Sequence, residues 1–250
     1  MAATAVCPIC GGTGWKIIER AGLSGAEPCR CAGEARAEAL QEGSGIPPKF
    51  LRANLENFFL PNDNPVARHR LTTALLTVRG FVTEFPAGDR QGLLIAGDTG
   101  SGKTHLAVAA LKAIINKGHE GVFFDYQNLL DRIRSSYDKT SGSGDREAYS
   151  SAMECGVLLL DDLGSHRVTE WVEDIVTSII TYRYNHRKAL IVTTNLDPKG
   201  AVGFTTEGGT QVSKKSLREV IGGRASSRLS EMCRPVDLFG VADYREKQTR

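Results

Sequence analysis

At 250 residues, 41% hydrophobic and 24% charged, the chain has an ordinary soluble composition and enough apolar material for a sizeable core, which excludes a disordered or fibrous protein. A net charge of +2 is too mild to argue for nucleic acid, and no apolar run approaches the roughly 18 residues that span a bilayer, so no membrane partner is expected. Residues 1–6 lack the basic start and long apolar run of a secretory leader, and the expected compartment is the cytoplasm.

The first element is a cysteine knuckle. Cys7, Cys10, Cys29 and Cys31 follow the spacing C-x2-C-x18-C-x-C, and four thiolates are the set for a closed, tetrahedral, structural Zn²⁺ site. A reducing cytosol disfavours disulfides, although an iron–sulfur cluster or a redox pair would use the same ligands. Gly11, Gly12 and Gly14 permit a turn that aims backbone N–H groups at the sulfurs. Residues 1–48 carry a net charge of −1. Zinc with four thiolates takes that to about −3, the wrong sign for a phosphate-binding module. The charge therefore disfavours a nucleic-acid grip for the knuckle. Trp15, Ile17 and Ile18 are either anchors for a partner or packing on the metal core.

A short helix, GEARAEALQE, follows and is stopped by GSGIPPKF, which places a domain boundary near residue 46: a 1–45 module and a 46–250 domain. NPVARHRLTTALLTVRGFVTEF has apolar residues at 71, 74, 75, 78, 81 and 82, the spacing of an amphipathic helix. Apolar strands then alternate with helices. The strands are GLLIAG (92–97), GVFFDY, GVLLLDD (156–162), ALIVTTN and RPVDLFG (234–240). The helices run from Lys103 to about Asn116, through NLLDRIRSSY, and from about Thr169 to Arg187. The runs TSGSGD (140–145) and FTTEGGTQ read as mobile loops, and Cys155 and Cys233 as small buried residues. This alternation predicts an α/β fold with a parallel five-stranded sheet flanked by helices.

GDTGSGKT fits G-x-x-x-x-G-K-[ST] between a buried strand and a helix. Gly97, Gly100 and Gly102 let the backbone of Asp98, Thr99 and Ser101 curl so that N–H groups face a β-phosphate, assisted by the helix N-terminus. Lys103 supplies charge to the β- and γ-phosphates, and the Thr104 hydroxyl can ligate Mg²⁺. His105 closes the candidate ATP-binding segment, although His105 and His166 are also the kind of residue that merely packs. Asp161, at the tip of an apolar strand, is placed for Mg²⁺, and its neighbour Asp162 for polarising a water. Asn195, at the tip of the following strand, can hold that water or the γ-phosphate.

These motifs, with IPPKFLRANLENF before them and DYR after them, resemble the bacterial helicase-loader ATPases across residues 46–245. Those are AAA+ relatives of the replication initiator. The resemblance implies slow, partner-regulated ATP hydrolysis with Mg²⁺, a grip on the replicative DNA helicase through the N-terminal module, single-stranded DNA as a partner, and a homo-oligomer in the ATP state. It makes Lys103 and Thr104 the Walker A pair, Asp161 the Walker B acid, Asp162 the catalytic base where many AAA+ proteins carry Glu, and Asn195 sensor 1. GGRASSRLSE resembles the arginine-finger segment, with Arg228 favoured over Arg224. Some fifty-five residues follow Asn195, too few for a full lid domain. Lys214, Lys215 and Arg218 are DNA-contact candidates or plain solvated charges. A transposition helper ATPase that binds DNA and a transposase has the same core, and a nucleotide-switched adaptor with little hydrolysis is a further alternative. A small-molecule kinase would need an Arg-rich closing lid that the sequence lacks.

Overall fold

The computed structural model describes residues 7–20, 23–135, 144–165, 169–198, 200, 204–207, 210–213 and 216–244. The knuckle is more than loop. β1 (Trp15–Arg20) and β2 (Leu23–Pro28) form an antiparallel hairpin, with Trp15 opposite Pro28 and Ile17 opposite Ala26. Trp15, Ile17 and Ile18 favour an extended pleat, and Lys16 pairs with Glu27 across the strands at 3.1 Å. α1 (Arg30–Glu42) starts inside the second cysteine pair and packs on the later helix that carries the phosphate loop.

After a single 3₁₀ turn at Pro48–Phe50 comes α2 (Pro65–Glu84). Its start is specified locally: the Asn64 side chain accepts from Ala67 N, and Pro65 occupies the first turn, where its missing N–H costs nothing. The buried stripe Leu71, Ala74, Leu75, Val78, Phe81 and Val82 is the one the periodicity predicts. The α/β part runs β3 (Gly92–Gly97), α3 (Lys103–Asn116), β4 (Gly121–Asp125), α4 (Tyr126–Ser135), α5 (Gly144–Glu154), β5 (Val157–Asp161), α6 (Glu170–Asn185) and β6 (Ala189–Thr194). β7 (Phe204–Glu207), β8 (Thr210–Ser213), α7 (Leu217–Met232) and β9 (Cys233–Leu238) follow. The central sheet has the order β4-β5-β6-β3-β9 and is parallel throughout.

Two expectations are corrected. FTTEGGTQ, expected as a mobile loop, instead supplies β7 and the first residues of β8, which pair antiparallel as Phe204–Glu207 with Thr210–Ser213. Thr-rich segments flanking Gly208-Gly209 have hairpin composition, which the glycines masked. TSGSGD overruns into α5, whose helix already includes Gly144; residues 140–143 fall outside the described residues. Helix propensity is poor there, but Ala148 and Ala152 are buried, and packing against α4 and α6 overrides it. Cys155 and Cys233 are buried, as expected.

Successive strand residues feed opposite cores, as the period of two requires. Leu93, Ile95, Leu159 and Ile191 pack under α2 and α3; Leu94, Leu158, Leu160, Leu190 and Val192 pack under α4 to α7. Each such aliphatic residue contributes about 1.5–3 kcal/mol by leaving water.

The second core contains a charge. Arg183 on α6 is 0% exposed, and its guanidinium donates to the carbonyls of Ala152, Met153 and Cys155 at 2.9–3.1 Å, of Gly156 at 3.2 Å, and of Ala189. It thereby satisfies the C-terminal carbonyls of α5 and ties them to the start of β6. Replacing it leaves several buried acceptors unpaired. Arg183→Met is expected to lower stability by about 2–4 kcal/mol, read as a reduced urea midpoint at unchanged slope.

Candidate nucleotide site and cysteine centre

The nucleotide motifs meet at the C-terminal edge of the sheet. β3 delivers the loop Gly97-Asp98-Thr99-Gly100-Ser101-Gly102, and α3 begins at Lys103. Gly100 and Gly102 adopt φ of +73° and +95°, the left-handed region that side chains resist. Both are also crowded: a Cβ on Gly102 would meet the Phe58 ring at 2.9 Å, and one on Gly100 would collide with the Asp243 carboxylate. No side chain caps α3, so its first N–H groups are available for an anion. Ser101 Oγ is buried and has no hydrogen-bond partner among the described residues. Lys103 is 7% exposed and its Nζ donates to Asp98 O at 2.8 Å, within the same loop. A curled backbone, a helix start, a buried ammonium and an orphan hydroxyl are the parts of a polyphosphate cradle.

The segment after β9 braces this loop at two points. Gly240 N donates to the Asp98 carboxylate at 2.7 Å, and Tyr244 N donates to Gly100 O at 3.1 Å. The Tyr244 ring packs on Phe59, with centroids 5.0 Å apart. His105 Nε2 lies 3.2 Å from Asn54 O and 3.0 Å from Asn57 Oδ1, and burial lowers its pKa below the ordinary histidine range. The imidazole thus anchors the segment before α2 to α3; its ring nitrogen is engaged there.

The acids come from β5. Asp161 is 8% exposed and receives two hydroxyls: Thr104 Oγ1 donates to Oδ2 at 3.2 Å and Thr193 Oγ1 to Oδ1 at 2.6 Å. Burial pushes its carboxyl above the ordinary range, the two hydroxyls pull it back, and Asp162 and Asp125 push it further up. Asp125 stands opposite Asp161 in the β4–β5 register. The Asp161 carboxylate and the Thr104 hydroxyl in contact with it, with the carboxylate of Asp162 next along the chain, make a hard-oxygen environment that fits Mg²⁺, with Thr104 and Asp161 the residues to hold it. Bound there, the ion would neutralise phosphate charge. Asp162 sits at φ +59°, and Asn195 Nδ2 donates to its Oδ1 at 2.9 Å. The sequence-predicted Lys103, Thr104, Asp161, Asp162 and Asn195 therefore converge.

Arg224 and Arg228 do not join them. Both line a polar cavity with Tyr184 and Glu231 on the α6–α7 side. α7 kinks at Gly222, and beyond the kink Arg228 lies 5.8 Å over the Tyr184 ring while its Nη1 donates to Arg224 O at 3.2 Å. Arg224 and Arg218 are exposed. Lys214, Lys215 and His166 lie outside the described residues. The sequence reading missed Thr193 and Asp125. A period of two was the available signal for Thr193, since it puts residue 193 on the same face as Asn195.

The four cysteines also converge, with all sulfurs within 4.8 Å of one another. Cys7 and Cys29 are 3.9 Å apart and Cys10 and Cys31 3.3 Å. A tetrahedral Zn²⁺ with Zn–S bonds of about 2.3 Å demands sulfur separations of about 3.8 Å, so the set fits. The sulfur of Cys31 draws the Cys10 thiol down to about 6, while Cys10 pushes Cys31 upward. Gly14 N donates to Cys10 Sγ at 3.4 Å, as the glycine-rich turn requires. The first proton of the pair is thus easily lost and the second is held, so a metal bound there would have to displace it.

Comparison with known proteins decides the lineage. The sequence profile of the "IstB-like ATP binding protein" family matches residues 75–200. A crystal structure of the DnaC helicase loader superposes with a TM-score of 0.61 and 34% identity, covering 77% of this chain and 99% of that one. The chain belongs to the IstB/DnaC family of AAA+ ATPases. It is also 27% identical over 176 residues to the uncharacterized protein YqaM of Bacillus subtilis, covering 67% of this chain and 54% of that protein. It is 21% identical over 152 residues to the replicative helicase loader DnaC of Escherichia coli K12, covering 61% and 59% respectively. The chain thus spans little more than half the length of these two relatives. IstB/DnaC proteins bind ATP and usually hydrolyse it, which accounts for the convergence at the sheet edge. Among the described residues no helix is long and apolar enough to cross a membrane.

Two outcomes are expected. Lys103→Ala weakens fluorescent ATP-analogue binding by about 100-fold, equivalent to about 2.7 kcal/mol, in a fluorescence titration. Native mass spectrometry finds one zinc per chain, lost on Cys10→Ser together with a drop in thermal stability.

Proposed function

We propose that the chain is an ATP-dependent loader that binds a replicative DNA helicase and helps place it on single-stranded DNA. The observation that carries this reading is the 34% identity to the DnaC helicase loader over 99% of that structure, joined to a nucleotide site whose parts converge. In this reading residues 46–250 are the ATPase domain and residues 1–45 a zinc-bearing helicase contact. ATP and Mg²⁺ sit between the phosphate loop and Asp161. Asp162, aligned by Asn195, is the base. Asp is shorter than Glu and reaches less far, which suits a slow switch.

Arg228, or its exposed neighbour Arg224, belongs to the cavity on the α6–α7 side and would act on the nucleotide of an adjacent subunit, making the ATP state a homo-oligomer. On the N-terminal hairpin Trp15 is 56% and Ile17 80% exposed on one face, which supports partner anchoring over packing for these two; Ile18, on the other face, is half-buried. The compartment in this reading is the cytoplasm.

A second reading, a transposition helper that binds DNA and a transposase, is favoured by the match to the IstB-like family. Co-purification with the helicase of the same organism separates the two. The loader forms an ATP-dependent complex that Trp15→Ser/Ile17→Ser abolishes while ATP turnover persists. Turnover with no helicase complex would instead favour the transposition helper. Turnover that stays undetectable with helicase and DNA present, and is not raised by Asp162→Glu, would indicate a nucleotide-switched adaptor.

A further inference from the structure

Asp161 and Asp162 are adjacent in sequence but must do different work, and each needs its own orientation. Successive strand residues point to opposite faces, so two neighbouring acids share one site only if the backbone turns sharply between them. Asp162 makes that turn, in a left-handed conformation that costs a non-glycine residue about 1 kcal/mol or more. Something must hold it there. One hydroxyl touches both acids. Thr193 Oγ1 donates to Asp161 Oδ1 at 2.6 Å and accepts from the backbone N of Asp162 at 2.8 Å, from a side chain 1% exposed.

The hydroxyl's one proton fixes the carboxylate of the first acid, and its lone pair fixes the backbone of the second. Two residues on, Asn195 donates to the Asp162 carboxylate from the same face of β6. Thr194 points the other way and donates to Leu163 O at 2.8 Å, while Leu163 N donates to Thr193 O at 2.8 Å. The β5–β6 junction is thus closed on both sides, and only the Thr193 side reaches the acids.

We infer that Thr193 is a positioning residue that couples the two acids, aiming Asp161 at Mg²⁺ and holding Asp162 at its bend. The inference rests on the nucleotide-hydrolysing reading of the site. Ligand-orienting hydrogen bonds to metal-binding side chains are worth roughly 10–100-fold in metal affinity. Thr193→Val keeps the shape and removes both hydrogen bonds; Thr193→Ser keeps both.

The test measures binding of a fluorescent ATP analogue across a Mg²⁺ titration and in EDTA, steady-state ATP turnover with the helicase partner present, and melting temperature. The arms are wild type, Lys103→Ala, Thr193→Val, Thr193→Ser and Thr194→Val. Thr193→Val is expected to raise the Mg²⁺ concentration for half-maximal tight binding by about tenfold and to cut turnover at least as much, with EDTA binding unchanged. Thr193→Ser is expected to stay within about twofold of wild type. Thr194→Val is expected to lose melting temperature without changing the Mg²⁺ requirement. If Thr193→Val is too unstable to purify, Thr193→Ala takes its place in the comparison with Ser.

A Thr193→Val protein with the wild-type Mg²⁺ requirement and turnover overturns the inference. So does a Thr194→Val protein with the same Mg²⁺ defect, because the effect would then be strand stability. Failure of the underlying reading looks different: wild type itself would show no Mg²⁺-dependent binding, or would be indistinguishable from Lys103→Ala.

Discussion

Parallel pairing is the constraint on which the rest of the structure depends. Each strand of the central sheet points the same way, so the ends of β3, β4, β5 and β6 emerge at one edge, and whatever residues follow them are neighbours whatever their distance in sequence. Gly97, Asp125, Asp161 and Thr194 are such ends. The phosphate loop, the acids and the amide come together there because hydrophobic strands alternate with crossover helices, and no local instruction beyond that alternation is needed.

The electrostatics of that edge are in tension until a cation and an anion arrive together. Asp125, Asp161 and Asp162 gather negative charge on the side of β4 and β5. Lys103 and the uncapped start of α3 gather positive potential only a loop away. Burial of Asp161 makes its ionised form costly, and two hydroxyls offset part of that cost. A nucleotide carrying Mg²⁺ presents charge of both signs in the matching order. Each half of the site would then relieve the other, with the Lys103 ammonium exchanging its bond to Asp98 O for phosphate.

Much of this was legible in the sequence. The positions along the chain and approximate bounds of the five central strands, the phosphate loop, both acids and Asn195 follow from apolar runs punctuated by Gly, Asp and Asn, but the spatial order of the strands does not. The cysteine cluster follows from spacing. What was not legible falls into two kinds. The β1–β2 and β7–β8 hairpins and the start of α5 were obscured by Gly, Ser and Thr, which vote for loops until tertiary packing or cross-strand pairing outvotes them. Thr193, Asp125 and the contact of Asp243 with Gly100 depend on register between strands far apart in the chain. A single sequence carries the period of each strand but not the alignment of one strand with another.

β9 has a consequence for biosynthesis. β3, which carries the phosphate loop, lies between β6 and β9, and β9 begins only at Cys233. Until that segment is made, one flank of β3 is an open row of backbone donors and acceptors. The two hydrogen bonds that brace the loop at Asp98 and Gly100 come later still, from Gly240 and Tyr244. A chain emerging from the ribosome therefore exposes its nucleotide strand as a sticky edge through most of translation. It completes the nucleotide cradle only after residue 244 has cleared the exit. Until then the loop lacks the contacts that brace it, and β3 keeps an unpaired edge of the kind that invites wrong pairing.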